Sequence, residues 1–169
     1  MKKIIQFIQN RLFVKRNSYS VKELLISLVV QNSFLRYDVI IRLLAIENHY
    51  NKNNYGWMLY EKLRKRQLQT NNVTKEIIQF RNLIYSYEKY GYDSQSEIFI
   101  DKRKQLVNGS HRLALALYHG YTSITCRIIR HKATADYSLG RLKNMGFTDI
   151  EMRYIIDRYN RLKKVLDEN

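Results

Sequence analysis

The sequence predicts an α+β fold, a small mixed sheet covered by helices, and three observations carry that expectation. Stretches with apolar residues at helical spacing run over about 75–90 and 148–166, the second opened by a capping signal. Between them lie three short runs, 97–100, 105–107 and 122–129, rich in Ile, Val, Phe and Thr and separated by turn-forming residues, which read as strands. A chain of 169 residues with 45% hydrophobic content is long enough to bury one core. One domain over 1–169 is therefore expected: a helical part to about residue 70, a core over about 71–133, and a helical pair over about 136–167.

Taken in order, Ile4, Ile5, Ile8 and Leu12 share one side of an expected helix over about 3–15, with Lys and Arg around it. Ser20-Val21-Lys22-Glu23 has the form of a capping box and predicts a second helix through Leu24, Leu25, Leu28 and Val29. Residues 37–49 are apolar almost without interruption, so periodicity does not separate strand from helix, and length favours helix. Asn51 to Gly56 reads as a loop, and a helix follows with Leu59, Tyr60 and Leu63 inward. Lys62 and Arg66 share a face of it as the densest local basic patch. Thr74 opens the next helix. A helix is expected over about 136–144, Met145-Gly146-Phe147 closes it, and Thr148-Asp149-Ile150-Glu151 is a second capping box.

Composition bounds the function. No window is long and apolar enough to span a bilayer. The N-terminus lacks a cleavable leader pattern, and a single cysteine, Cys126, excludes an internal disulfide framework, so a cytoplasmic location is expected. The formal charge of +15 suits a phosphate-bearing partner: nucleic acid, an anionic membrane surface met peripherally, or a phosphorylated small molecule. No His, Cys and carboxylate spacing points to structural zinc, so no metal ligands are assigned. His119 and His131 read as a helix-end and a loop residue. Tyr87, Tyr90 and Tyr92 are aromatic at helical spacing, which is more often a core feature than a stacking site.

One stretch suggests a chemical task. Residues 106–120 read Leu-Val-Asn-Gly-Ser-His-Arg-Leu-Ala-Leu-Ala-Leu-Tyr-His-Gly. A strand-like run ends at Asn108-Gly109 and a helical pattern starts at once, so the turn is tight and Gly109 supplies the positive φ it needs. Ser110 falls at the expected N-cap, and the following amides carry the positive end of the helix dipole. Such a terminus receives anions, and His111 and Arg112 add donors.

That order resembles the signature of the ParB/sulfiredoxin-like superfamily. There a strand runs into Asp-Gly-x-His-Arg, then a Leu-Ala-x-Ala helix, a Gly and a further strand. Asn108, Gly109, His111, Arg112, Ala114, Ala116 and Gly120 fit it, with 124–129 as the closing strand. The resemblance covers roughly 98–129. In the sulfiredoxin branch the residue before His-Arg is a reactive Cys; here it is Ser110, and Cys126 falls in an expected buried strand. In the chromosome-partitioning branch the motif is Gly-Glu-Arg-Arg, binds CTP, and precedes a DNA-reading helical domain; Ser110 replaces that Glu, and the chain after the core is short. The Ser-His-Arg order is most similar to the free serine kinase branch.

The resemblance implies a nucleotide site at Asn108, Gly109, Ser110, His111 and Arg112, with ATP or ADP and Mg2+ as cofactors. The activity it implies is a kinase-type phosphotransferase for a small hydroxylated acceptor such as serine or a sugar derivative. Similar layouts are associated with bacterial surface-polysaccharide synthesis. The family's Asp is Asn108 here, and an amide cannot accept a proton as a general base. A carboxylate from elsewhere is then required: Glu47 first, Asp101 and Asp93 after it, with His111 as a further catalytic candidate that is not a carboxylate. Two alternatives remain: a ParB-like DNA-binding or nuclease-type protein, and a non-catalytic nucleotide-binding scaffold.

Overall fold

A computed structural model describes residues 18–33, 36–51, 53–91 and 97–168. Its elements, in chain order, are β1 (Ser18–Leu25), α1 (Ile26–Asn32), α2 (Tyr37–Tyr50), α3 (Tyr55–Leu68), α4 (Thr74–Tyr90), β2 (Ile98–Ile100), β3 (Leu106–Asn108), α5 (Ser110–Tyr118), β4 (Ser123–Ile129), α6 (Leu139–Asn144) and α7 (Asp149–Asp167). The α+β expectation holds at that level. The four strands form one mixed sheet in the order β1-β4-β2-β3. β4 pairs antiparallel with β1 and parallel with β2, while β2 and β3 form an antiparallel hairpin.

β1 corrects the sequence reading. The Ser20 to Glu23 capping box begins no helix; these residues lie in a strand whose register runs from Ser18↔Ile129 to Leu25↔Ser123. A row of backbone bonds along the open side of β4 outweighs one local cap, and the helix starts only at Ile26, with no side-chain cap. The sheet thus takes its fourth strand from the part expected to be helical. The expected helix over about 3–15 lies outside the described residues.

Residues 37–50 are helical, and the reason periodicity was silent is visible. Val39, Ile40, Ile41, Leu43, Leu44, Ala45 and Ile46 are each at most 4% exposed, so α2 is enclosed on all sides by α3, α5 and α7. Asp38, Arg42 and Asn48 are buried too, and each makes a hydrogen bond. Asp38 accepts from Arg36 Nε at 2.7 Å and from Arg42 Nη1 at 3.1 Å. Asn48 Oδ1 accepts from the Gly56 amide at 2.5 Å. α3 approaches α2 so closely at this point that a Cβ built on Gly56 would lie 2.2 Å from the Leu44 carbonyl oxygen.

α4 follows the amphipathic rule, with Phe80, Ile84 and Tyr87 buried. α6 begins at Leu139, three residues later than expected, because Asp136 Oδ1 accepts from the Ser138 amide in a turn before the helix, and Ser138 is the cap. Gly146 has φ +85° as expected. The capping box of α7 is complete: Thr148 Oγ1 accepts from the Glu151 amide, and the Glu151 carboxylate accepts from the Thr148 amide. No helix among the described residues is long and apolar enough to cross a membrane.

The Gly56 contact gives a direct test. Gly56→Ala forces a methyl against the backbone of α2, and we expect a loss of about 3 kcal/mol. Thermal denaturation would show a melting temperature lower by about 6–12 °C, whereas Gly140→Ala, whose Cβ would meet only Ser138 Oγ at 4.0 Å, would leave it within about 2 °C.

Candidate anion site at the start of α5

The strand β3 ends at Asn108, and the chain reverses through Gly109, with φ +105°, into α5. No other residue fits this place. The conformation is left-handed, and an added Cβ would sit 2.6 Å from Ile98 Cγ2. Gly109, not Ser110, holds the N-cap position, and no side chain caps the helix; Ser110 is its first residue. The amides of the first turn therefore keep their donors and the dipole behind them. The Asn108 side chain is folded onto the turn, with Oδ1 accepting from the Gly109 amide at 2.7 Å.

His111 turns away from those amides. Its Nε2 lies 2.9 Å from the Tyr60 hydroxyl of α3, and its ring meets Phe80 of α4 edge-on at 4.5 Å. Burial pushes its pKa down to about 2, and the guanidinium groups of Arg42, Arg64 and Arg112 push in the same direction. His111 is thus a neutral imidazole. Arg112 donates from Nη1 to the Glu97 carbonyl at 2.8 Å, which ties the helix start to the chain entering β2.

The carboxylates chosen from sequence lie elsewhere. Glu47 sits in the last turn of α2, bonded by Arg158 of α7 at 2.7 Å, and its charge acts on Tyr118 at the far end of α5. With nine residues at about 1.5 Å each, that end is roughly 13 Å from the turn. Asp101 follows β2 on the side away from Gly109. It is 2% exposed and accepts from the amides of Arg103, Gln105 and Ala133, so it shapes the hairpin. Asp93 lies outside the described residues. Cys126 is buried in β4, where burial pushes its thiol up to about 12, and it offers no thiolate near neutral pH.

Two other carboxylates are near the turn, and sequence reasoning missed both as site residues. Glu97 presents its carboxylate to the Arg127 Nε and Nη2 atoms as a fork, the second at 2.6 Å, and so raises the Arg127 pKa through a charged hydrogen bond. Glu76 lines a cleft of about 150 Å³ together with Tyr60, Arg64, Gln79, Phe80 and His111. The spacing Tyr60 to Arg64 on one helix and Glu76 to Gln79 and Phe80 on the next places these groups on facing stripes, the only local signal available.

Among the described residues, the neighbourhood has more cations than carboxylates to match them. One carboxylate, Asp38, serves both Arg36 and Arg42, and the Nε atoms of Arg42 and Arg64 are buried without a partner. No group of three or more metal-ligating side chains occurs among the described residues. No family model matches the chain, and no curated protein or solved structure matches it significantly.

The neutral His111 makes stability depend on pH. Its folded pKa lies below the ordinary 6.5, so below that value the unfolded chain takes up a proton that the folded chain refuses, and stability is lost as pH is lowered. From pH 7 to pH 5 the wild type should lose about 2 kcal/mol more than His111→Gln. Urea titrations of both proteins at the two pH values measure this; parallel losses would place a proton on His111 in the fold.

Proposed function

We propose that the chain binds the phosphate groups of a nucleotide at the start of α5 and transfers a phosphoryl group to a small hydroxylated acceptor, as the resemblance to the free serine kinase branch of the ParB/sulfiredoxin-like superfamily implies. One observation carries the reading: an uncapped helix N-terminus, reached through a glycine that nothing else can replace, lies among guanidinium groups that outnumber their carboxylates. Unbonded amides at a helix start in a positive field favour an anion. Phosphoryl transfer asks of a protein chiefly positioning and charge stabilisation, which amides and guanidinium groups provide.

The cleft is too small to enclose a nucleotide, since such pockets run to roughly 300–1,000 Å³. The phosphates would meet the turn while the base lies over the open surface, and the cleft would be left for the acceptor. ATP or ADP with Mg2+ is the expected cofactor, with the metal on the phosphates. Asn108 supplies hydrogen bonds but no base, so the acceptor's proton must go to a carboxylate outside the turn.

A nucleic-acid-binding protein is the second reading, favoured by the net charge of +15. Along α3, however, Lys62 is held by Glu151 and Lys65 by Glu61, which leaves fewer cations for a phosphate backbone than the sequence suggests.

Isothermal titration with ATP, ADP and CTP, with and without magnesium, tests the first reading. We expect one of them to bind and Ser110→Asp to weaken it at least about tenfold, because a carboxylate at the helix start repels phosphate. The same substitution favours the helix dipole, so the melting temperature should hold or rise, which separates lost binding from lost folding. If no nucleotide binds while duplex DNA binds with a steep dependence on salt, the second reading replaces the first.

A further inference from the structure

Asn108 and Gly109 form the single Asn-Gly pair of the chain, and the fold leaves that pair open to a reaction with itself. Asn108 is exposed, and its side chain is folded back so that Oδ1 accepts from the Gly109 amide at 2.7 Å. The Gly109 amide donates to no backbone carbonyl among the described residues, and the Asn108 Nδ2 makes no hydrogen bond there. The carboxamide thus lies against the one nitrogen that could attack it. Glycine puts no Cβ beside that nitrogen, and contact of this kind turns an encounter into a unimolecular step.

Asn32 shows what protection looks like in the same molecule. It too precedes a small residue, Ser33, but the Ser33 amide donates to the Val29 carbonyl at 2.9 Å and the Asn32 Nδ2 donates to the Leu28 carbonyl at 2.7 Å. Both the attacking nitrogen and the leaving group are held by α1, and helical bonds must break before they can react. Nothing comparable holds Asn108. The guanidinium groups around the turn add a second difference, because a positive field stabilises the deprotonated amide and the oxyanion through which the attack passes.

We propose that Asn108 is a site of spontaneous deamidation in the folded protein. The Gly109 nitrogen gives its proton to hydroxide and bonds to Asn108 Cγ; the Cγ to Nδ2 bond breaks, and Nδ2 leaves as ammonia with a proton from water. Water then opens the cyclic imide. Addition at Cγ gives aspartate, and addition at the backbone carbonyl carbon gives isoaspartate, whose chain runs through Cγ. The sum is hydrolysis, one water consumed and one ammonia released, with no change of oxidation state. Either product sets a carboxylate beside a helix start whose amides are uncapped, where it favours the dipole and opposes an incoming anion. Isoaspartate also adds a methylene to the backbone where a Cβ on Gly109 would already meet Ile98 Cγ2 at 2.6 Å, so the passage must shift. On the phosphate reading the reaction closes the turn as the protein ages. That consequence rests on the reading; the chemistry does not.

The full chain, kept warm in mildly alkaline buffer either folded or unfolded in guanidinium chloride, would be sampled over weeks and digested with trypsin. Peptides 105–112 and 23–36 carry Asn108 and Asn32, and mass spectrometry reads the exchange of amide for acid in each. Labelling by an isoaspartate methyltransferase separates the two products. We expect the folded chain to convert Asn108 within about tenfold of its unfolded rate and to slow Asn32 by more than that. Asn108 slowed by folding as much as Asn32 overturns the proposal. Calorimetry with ATP, ADP and CTP then compares fresh protein, aged protein and Asn108→Asp. The last two should bind at least about tenfold more weakly than the first. Asn108→Gln, which would have to close a six-membered ring, should keep its affinity on ageing. Full conversion with affinity unchanged overturns the closing of the turn. If fresh protein binds no nucleotide, the phosphotransfer reading falls and the peptide masses decide the modification; if it binds and Asn108 stays inert, the modification falls and that reading stands.

Discussion

Enclosing α2 on every side is the constraint from which the rest of the structure follows. The charged side chains buried along such a helix need partners, since a buried charge without them is costly. Asp38 meets this by accepting from Arg36 and Arg42, and Arg36 extends the network by donating from Nη1 to the Leu106 carbonyl of β3 at 2.7 Å. The same guanidinium lies over the Tyr137 ring at 5.3 Å, so the chain beyond β4 is held to the same point. Arg42 passes over Tyr60 at 5.9 Å, and Tyr60 bonds His111. One buried carboxylate therefore connects the hairpin to the start of α5.

The same network sets the charge of the site. Two guanidinium groups on one carboxylate leave an excess, and among the described residues Arg64 and Arg112 add to it with no carboxylate within ion-pair distance. Three of these cations act on His111 and help to keep it neutral. A protonated imidazole would add to a field that is already positive. As a neutral ring packed against Phe80, it closes one end of the cleft and leaves the charge to the guanidinium groups.

Sequence reasoning succeeded where the determinants are local and failed where they are not. The capping box at Thr148 and the stripe of α7 are complete within a few residues, and the glycine requirement at Gly109 follows from the tight passage from strand to helix. β1 was misread because its partner, β4, is about a hundred residues away, and nothing within 18–25 shows that an open strand awaits it. The Ser20 and Glu23 pair then looks like a cap because the alternative bonding partners are invisible. α2 was ambiguous for a different reason: a helix buried all round has no periodic contrast to detect.

The same distinction explains the carboxylates. Glu97 and Asp101 flank one three-residue strand, and in sequence terms either could serve the turn at Asn108. The antiparallel pairing of β2 with β3 decides between them, because it brings Ile98 against Gly109 and sends Asp101 to the opposite end of the hairpin. Glu47 lies away from the turn because the last turn of α2 faces the far end of α5. Glu76 reaches the cleft only because α4 packs across α3, a tertiary fact with no local mark. Anion-binding turns are written in the chain that forms them, whereas the groups that choose what lies beside the anion are assembled by packing.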